Sequence, residues 1–401
     1  MSTASGVNKV CVFSKESTWG TKPAANTGEI MRRVTLDLGL TREQFTSAAI
    51  SGYAQTTSSR SGTDTVEGTY SDELTPGAHD MLWEALLRGP WVNGVTSGAL
   101  TTVAASSAGN TFTRSAGSWL TGGFKDGDTI TVSGFAAPAT ANNKQYTVLS
   151  VTATVLTVAE AVVTKAAGDS VTIAVTGKKL VIPLTVDDRT DDSFTVEQQF
   201  SDIGVYRVAT GVKVSNASVS VEPDSFATVE FGLLGKDQVS SGTKYFTSPA
   251  NASTNESLTG NAGAIFANGV QLGLVTSFSF DVDGGMEAGK IVGNLMPDGT
   301  RPASAIFLGR VAVTGTMSAY FENDNFYSLF RDETPVSVVF KFKGEGDEFM
   351  VFKFPKVKLG GANPDDKEVG GLMQEIGFTA LLGDGTDTSL EQSTLVLQVS
   401  E

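Results

Sequence analysis

The stretch VEGTYSDELTPGAHDMLWEALL (66–87) returns 247 positions later as VTGTMSAYFENDNFYSLFRD (313–332). Without a gap, Val66 meets Val313, Gly68-Thr69 meets Gly315-Thr316, Ser71 meets Ser318, Leu74 meets Phe321 and Leu82-Trp83 meets Leu329-Phe330. An echo of this kind points to folds built from two related strand-then-helix units. The flanking segments repeat as well. In the first copy MRRVTLDLGLT (31–41) alternates as a half-buried strand should, a polar tip follows (42–62), and TDTVEGTYSDEL (63–74) returns. Thr75 reads as the N-cap of a helix with Pro76 at its first position and Gly89-Pro90 as its stop; Ala78, Met81, Leu82, Ala85 and Leu86 form its apolar stripe. In the second copy GLVTSFSFDVDGG (273–285) is the strand, 286–304 the tip and AIFLGRVAVTGTMSAYF (305–321) the return. A shorter helix starts near Asn323 or Asp324 and ends before Pro335. Each copy closes on a similar tail, EFGLLGKD (230–237) and GFTALLGD (377–384).

The copies differ by a segment at 93–177 of another composition, rich in Thr, Ala, Val, Ser and Gly. It reads as a small Ig-like or barrel-like β domain spliced into a surface loop after the first helix. Removing its roughly 85 residues from the offset leaves about 160, the size of a complete small β domain. The expected plan is therefore mainly β: two tandem β-sandwich or barrel domains, each with a short flanking helix, plus the insert. The first domain takes 1–92 and 178–239, a linker 240–263, and the second domain 264–401.

Much chemistry is disfavoured. One cysteine among 401 residues allows no internal disulfide framework and no multi-cysteine metal site. Cys11, in the alternating run KVCVFSK, reads as a buried thiol rather than a reactive one. The single histidine, His79, is expected on the exposed or grazing side of the first helix; one histidine leaves little room for a triad or a His-rich metal site. Acidic groups at 187–192, 281–285, 322–325 and 363–368 lack EF-hand spacing, so they read as solvated turns, with a weak Ca²⁺ site as the sharper alternative. Trp119 and Phe135 are either the core of the insert or a sugar platform. A net charge of −15 argues against binding phosphate backbones, though an acidic surface can repel them. The amino terminus lacks the regions of a signal peptide, and no run is long and apolar enough to span a bilayer, so no membrane insertion is expected. No cofactor and no enzymatic activity are expected.

The opening SKESTWGTKP (14–23), the long-tipped hairpin with its helix, and GVKVSNASVSVEPDSFATVEFGLLGKD (211–237) resemble tail tube proteins of long-tailed (siphovirus-type) bacteriophages. The resemblance implies a sandwich-like fold with a flanking helix, forming rings that stack into a hollow tube around a tape-measure protein. It further implies contacts with tail terminator and distal tail proteins, passage of genomic DNA through the lumen without specific binding, assembly in the host cytoplasm and residence in the virion tail. The duplication favours a trimer with pseudo-sixfold symmetry over a hexamer, and the decorating insert favours a non-contractile tail. A phage or surface adhesin with the insert as carbohydrate- or receptor-binding head, and a β-rich carbohydrate-active enzyme, are the competing classes.

Alternation within the strands then assigns faces. Val66, Tyr70, Phe278, Phe280, Val282, Val313 and Met317 pack inward. Asp37, Glu67, Asp281 and Asp283, together with Glu230, become candidates for an acidic lumen wall; outer solvent is their other possible destination. Arg42, Gln44, Phe45, Tyr53, Arg60, Met286 and Arg301, on the two hairpin tips, are candidates for ring-to-ring contacts.

Overall fold

The computed structural model describes all residues except 1–2, 51, 54, 273–274, 294, 297–299, 367–369, 384 and 401. Parts of the expected second strand, both tips, the acidic group at 363–368 and the second tail therefore lie outside the described residues. About half the chain, 48%, is strand and 6% is helix. The first half contains β1 (Lys9–Lys15), β2 (Thr35–Thr46), β3 (Ser59–Glu73), α1 (Asp80–Leu87), β4 (Trp91–Asn93), β5 (Lys178–Val181), β6 (Phe194–Phe200), β7 (Val205–Val221), β8 (Thr228–Gly235) and β9 (Asp237–Ser241). The second contains β10 (Gly263–Ala267), β11 (Val275–Asp283), β12 (Ala312–Tyr320), α2 (Asn325–Arg331), β13 (Val336–Lys343), β14 (Phe349–Leu359), β15 (Asn363–Pro364), β16 (Met373–Ala380) and β17 (Val396–Val399).

Each half is a sandwich whose two sheets share one long strand. In the first, the opening half of β7 pairs with β6 and β9, with β1 beyond β6; its closing half pairs with β8, followed by β3 and β2. A register break between Val214 and Asn216 marks the bend, as an extra residue in one strand does. The second half repeats this connection by connection: β13, β14 and β17 with β10 beyond, then β14–β15 with β16, β12 and β11. The irregularities coincide too. Phe194 opposite Val212 is followed by a break to Val196 opposite Ala209; Val336 opposite Val357 is followed by a break to Val338 opposite Phe354.

These registers correct the tail alignment. Tyr70 lies opposite Phe231 and its counterpart Met317 opposite Ile376, so EFGLL (230–234) corresponds to EIGFT (375–379), not to the later GFTAL. Likewise Leu36 faces Tyr70 and Phe278 faces Met317, so Asp37 corresponds to Ser279 and not to an acidic residue. The second return strand is interrupted: residues 305–307 pair with 287–289 as a small ribbon at the tip, and β12 begins only at Ala312.

The halves join directly. The closing half of β7 pairs antiparallel with β11, from Asn216 opposite Asp283 to Val221 opposite Phe278. α1 is wedged at this seam, which is why it is apolar nearly all round rather than along one stripe: Leu82, Trp83, Ala85, Leu86 and Leu87 are all buried. Trp83 lies 5.0 Å from Phe231 of one half and 5.8 Å from Phe352 of the other. Arg88 ends the helix in the left-handed region (φ 59°) and donates to Gly284 O and Gly309 O, both at 2.6 Å.

The helix starts later than Thr75-Pro76. A turn occupies 76–79, Thr75 Oγ1 donates to Glu73 O, and the N-cap residue is His79. His79 is 1% exposed, contrary to the expected surface position, because this turn folds it under Tyr70 and Phe231; its Nε2 lies 3.2 Å from Asp72 Oδ2. The segment 240–263 is no free tether. Phe246 and Leu258 in it are fully buried, and Leu258 bonds both Leu74 and Ala227 through its backbone.

Residues 96–175 form a separate seven-stranded sheet system with its own core, in which Trp119, Phe112, Phe124 and Tyr146 are fully buried and Phe135 nearly so. Trp119 and Phe135 are thus interior residues. The roots of this insert, β4 and β5, pair with each other, and β5 pairs with β17 of the second half. Beneath it Asp128, fully buried, pairs with Lys179 at 2.6 Å and with Lys353, while Gln398 accepts from Thr129 N at 3.0 Å and donates to Thr129 O and Thr176 O. Burial would raise the Asp128 pKa, but the two ammonium groups hold it below the ordinary carboxylate value. Removing one partner of a buried cluster leaves uncompensated charge. Asp128→Ala should therefore cost about 3–5 kcal/mol, measured by denaturant unfolding; a loss below about 1 kcal/mol, the scale of an exposed pair, would show the cluster to be inconsequential.

Candidate functional site

The β7–β11 seam makes one antiparallel sheet of β2, β3, β8, β7, β11, β12 and β16. Strand geometry sends alternate side chains to opposite faces, and here one face is packed. Leu38, Val66, Tyr70, Phe231, Phe280 and Met317 are at most 2% exposed. The other face carries small polar residues and carboxylates: Asp37, Glu67, Glu230, Asp281 and Asp283 are all exposed, as the alternation predicts. Glu375, which the misregistered tail concealed, is a sixth. Its signal was EIG at 375–377 echoing EFG at 230–232. Among the described residues, no exposed Lys or Arg stands on this face from Thr35–Thr41 across to Glu375–Thr379; Lys213, in register with Leu234 and Glu67, is buried and paired with Asp191, and Glu73, at the rim, lies 4.0 Å from Arg32.

Hydroxyl pairs brace adjacent strands on this face: Thr35–Ser71 at 2.7 Å, Thr41–Thr65 at 2.9 Å and Ser279–Thr316 at 2.9 Å. Glu230 faces Ser218, which faces Asp281, so these carboxylates stand two strand spacings apart, about 10 Å. Repulsion at that distance in water is only about 0.4 kcal/mol, which the fold tolerates. What the face offers is uniform negative potential over a smooth hydroxyl surface, with no nucleophile–base pair arranged on it.

The tips are tied to each other. Arg42 pairs through its guanidinium with Asp64, which is fully buried; Nη2 lies 2.8 Å from Oδ2. The same carboxylate accepts from Arg301 N at 2.8 Å, and Asp64 N donates to Arg301 O. Lys290 and Glu43 add an exposed pair at 3.2 Å. Arg42 and Arg301 are thus engaged within the chain, whereas Gln44, Phe45, Tyr53 and Arg60 are exposed and Met286 is half-buried. Phe45 at 59% and Ile291 at 56% exposure, with Val292 and Leu295, give the paired tips an apolar surface. Cys11 is buried, and burial raises its pKa, so the thiol is not poised to react. Among the described residues, no helix is long and apolar enough to cross a membrane, and no group of three His, Cys, Asp or Glu could hold a metal ion.

A wide sheet that is packed on one face, polar on the other and open at its edges defines a building block of a strand-built assembly. The chain belongs to the phage tail tube protein family, whose sequence profile matches residues 6–380. No curated protein matches it. Membership makes it a structural subunit of a virion tail that associates with copies of itself and with other tail proteins; the family is structural rather than enzymatic.

Burial opposes ionisation of Asp64, but Arg42 and the Arg301 N–H outweigh it and hold the folded pKa below the ordinary value. The tie is therefore complete above the ordinary carboxylate pKa and lost as pH falls through the folded value. Asp64→Asn at neutral pH should speed proteolytic cleavage within 47–58 with little change in the global melt; acidification below about pH 4 should speed the same cleavage and also lower the melt, because the Asp128 cluster is weakened over the same range. An unchanged cleavage rate would show that the pair does not hold the tips.

Proposed function

We propose that each chain supplies two adjacent staves of a hollow cylinder, rings of which stack into the tail tube that conducts the genome. The supporting observation is the continuous β2-to-β16 sheet through both halves, with its acidic face open on one side. In this reading the units are 1–92 with 178–239, and 264–401, joined through 240–263, with 93–177 as an outer decoration. The edge strand β2 of one chain pairs with the β14–β15 edge of the next, repeating the β7–β11 seam, so three chains close a ring of six staves with pseudo-sixfold symmetry. Such an interface is head-to-tail and closes by rotation, and closure removes the exposed edges that otherwise invite aggregation.

Asp37, Glu67, Glu230, Asp281, Asp283 and Glu375 then line the bore. Their potential reaches about 8–10 Å in physiological salt, enough to keep phosphates from adhering to the wall while DNA and a tape-measure protein occupy the lumen. The tips, with Phe45, Tyr53 and Arg60 outward, reach the adjoining ring. Tail terminator and distal tail proteins cap the two ends, host cytoplasm is the place of assembly, and the tail is non-contractile.

Cryo-EM of polymerised protein should show hollow tubes with threefold rings; strict sixfold density with identical domains would exclude the two-stave chain. Lysine at Asp281, Asp283 and Glu375 together should leave tubes intact yet slow genome ejection. Ejection at the normal rate would remove these residues from the bore.

A further inference from the structure

The halves share a topology but differ at the mouth between their two sheets. The registers match Phe278 with Leu36, Phe280 with Leu38, Phe340 with Gln198 and Phe352 with Arg207. In the second half these phenylalanines pack on one another, Phe280 to Phe352 at 5.0 Å and Phe278 stacked on Phe340. The first half's α1 closes that mouth with Trp83. In the first half two of these positions stay apolar, as the buried Leu36 and Leu38, and the two facing them are polar, Gln198 and Arg207. Gln198 and Gln238 both donate to Leu38 O, at 2.6 and 3.2 Å, and Lys9 donates to Leu36 O at 2.6 Å. Lys9 and Arg207 flank the ring of Phe200 at 5.5 and 6.0 Å. Arg33 stands close enough to Lys9 to act on its charge. The mouth is rimmed by cations on a chain of net charge −15.

α2 is the other half of the asymmetry. It follows β12 as α1 follows β3, and rests on β14 as α1 rests on β7. Yet none of its residues is buried, whereas α1 buries most of its own. Tyr327 is 42% and Phe330 38% exposed, and Glu322, Asp324 and Asp332 are exposed around them.

We infer that α2 of one chain seats in the cation-rimmed mouth of a second copy, bounded by Lys9, Gln198, Arg207 and Gln238, as α1 seats within the chain. This rests on the self-associating tube reading and names the contact that carries it. The difference in chemistry follows from when each mouth is covered. The phenylalanine mouth is covered in every folded chain. The rim of the polar mouth, with Arg207 exposed and Lys9 half-buried above a buried Gln198, faces water in a free subunit, where an apolar patch would invite misassociation. It attracts an aromatic helix preceded by Glu322 and Asp324 through charge complementarity and two amphipathic cations.

Critical concentrations for tube assembly, read by sedimentation, test it on the full chain. Arg207→Glu, and separately Glu322→Lys with Asp324→Lys, should each raise the wild-type value tenfold or more. Combining all three changes should recover most of the loss, with the monomer's melting temperature unchanged throughout. Wild-type tubes whose critical concentration ignores both reversals would overturn the docking while leaving the tube reading intact. Wild-type protein that forms no tubes would bring down both. If a reversal lowers the melting temperature, Arg207→Cys with Tyr327→Cys decides: a short bismaleimide should link chains within formed tubes, and absence of that product in formed tubes overturns the proposal.

Discussion

The antiparallel ladder between Asn216–Val221 and Phe278–Asp283 turns two sandwiches into one sheet, and every other feature depends on its register. It sets Ser218 beside Asp281 and Val219 beside Phe280, so polar and apolar alternation run in step from one half to the other. A slip of one residue would turn every side chain of the second half to the wrong face. Main-chain pairing alone would not hold so strict a register. The aromatic contacts beneath it do: Trp83 bridges Phe231 and Phe352, and each fully buried phenylalanine contributes about 1.5–3 kcal/mol. Arg88 adds two hydrogen bonds across the seam that no shorter side chain could reach.

The two halves have the same strand order, and their differences go with different neighbours. α1 has a partner surface within the chain and is apolar on all sides; α2 keeps its aromatics half in water. The sheet faces diverged less. Glu230 and Glu375 occupy equivalent positions on the open side, while Asp37 corresponds to Ser279, so the negative character of the face is kept without residue-by-residue identity.

Local alternation was legible in the sequence because a two-residue period survives any neighbour. Tyr70, Phe280 and Met317 were assigned inward and Glu67, Asp281 and Asp283 outward from spacing alone, and the burial of each agrees. Position along a strand was less legible. Two hydrophobic tails of similar length can be laid together in more than one register, and only the pairing of Met317 with Ile376 brings Glu375 into line. Long-range burial was hidden altogether. Nothing near His79 announces that a turn at 76–79 will fold it beneath Tyr70, and nothing in a Thr-rich insert says that its Asp128 will meet Lys353 from 225 residues away. The family match covers nearly the whole chain, while the faces, tips and seam had to be read from the strands themselves.

The insert leaves the chain after the first helix, yet its root strand β5 lies against β17 and its underside grips Lys353 and Gln398, all in the second half. It therefore straddles the seam as a strap does two boards. Force applied to this outer unit is delivered to both halves at once, through a ladder loaded in shear and a buried ionic rivet, rather than peeling one half from its neighbour.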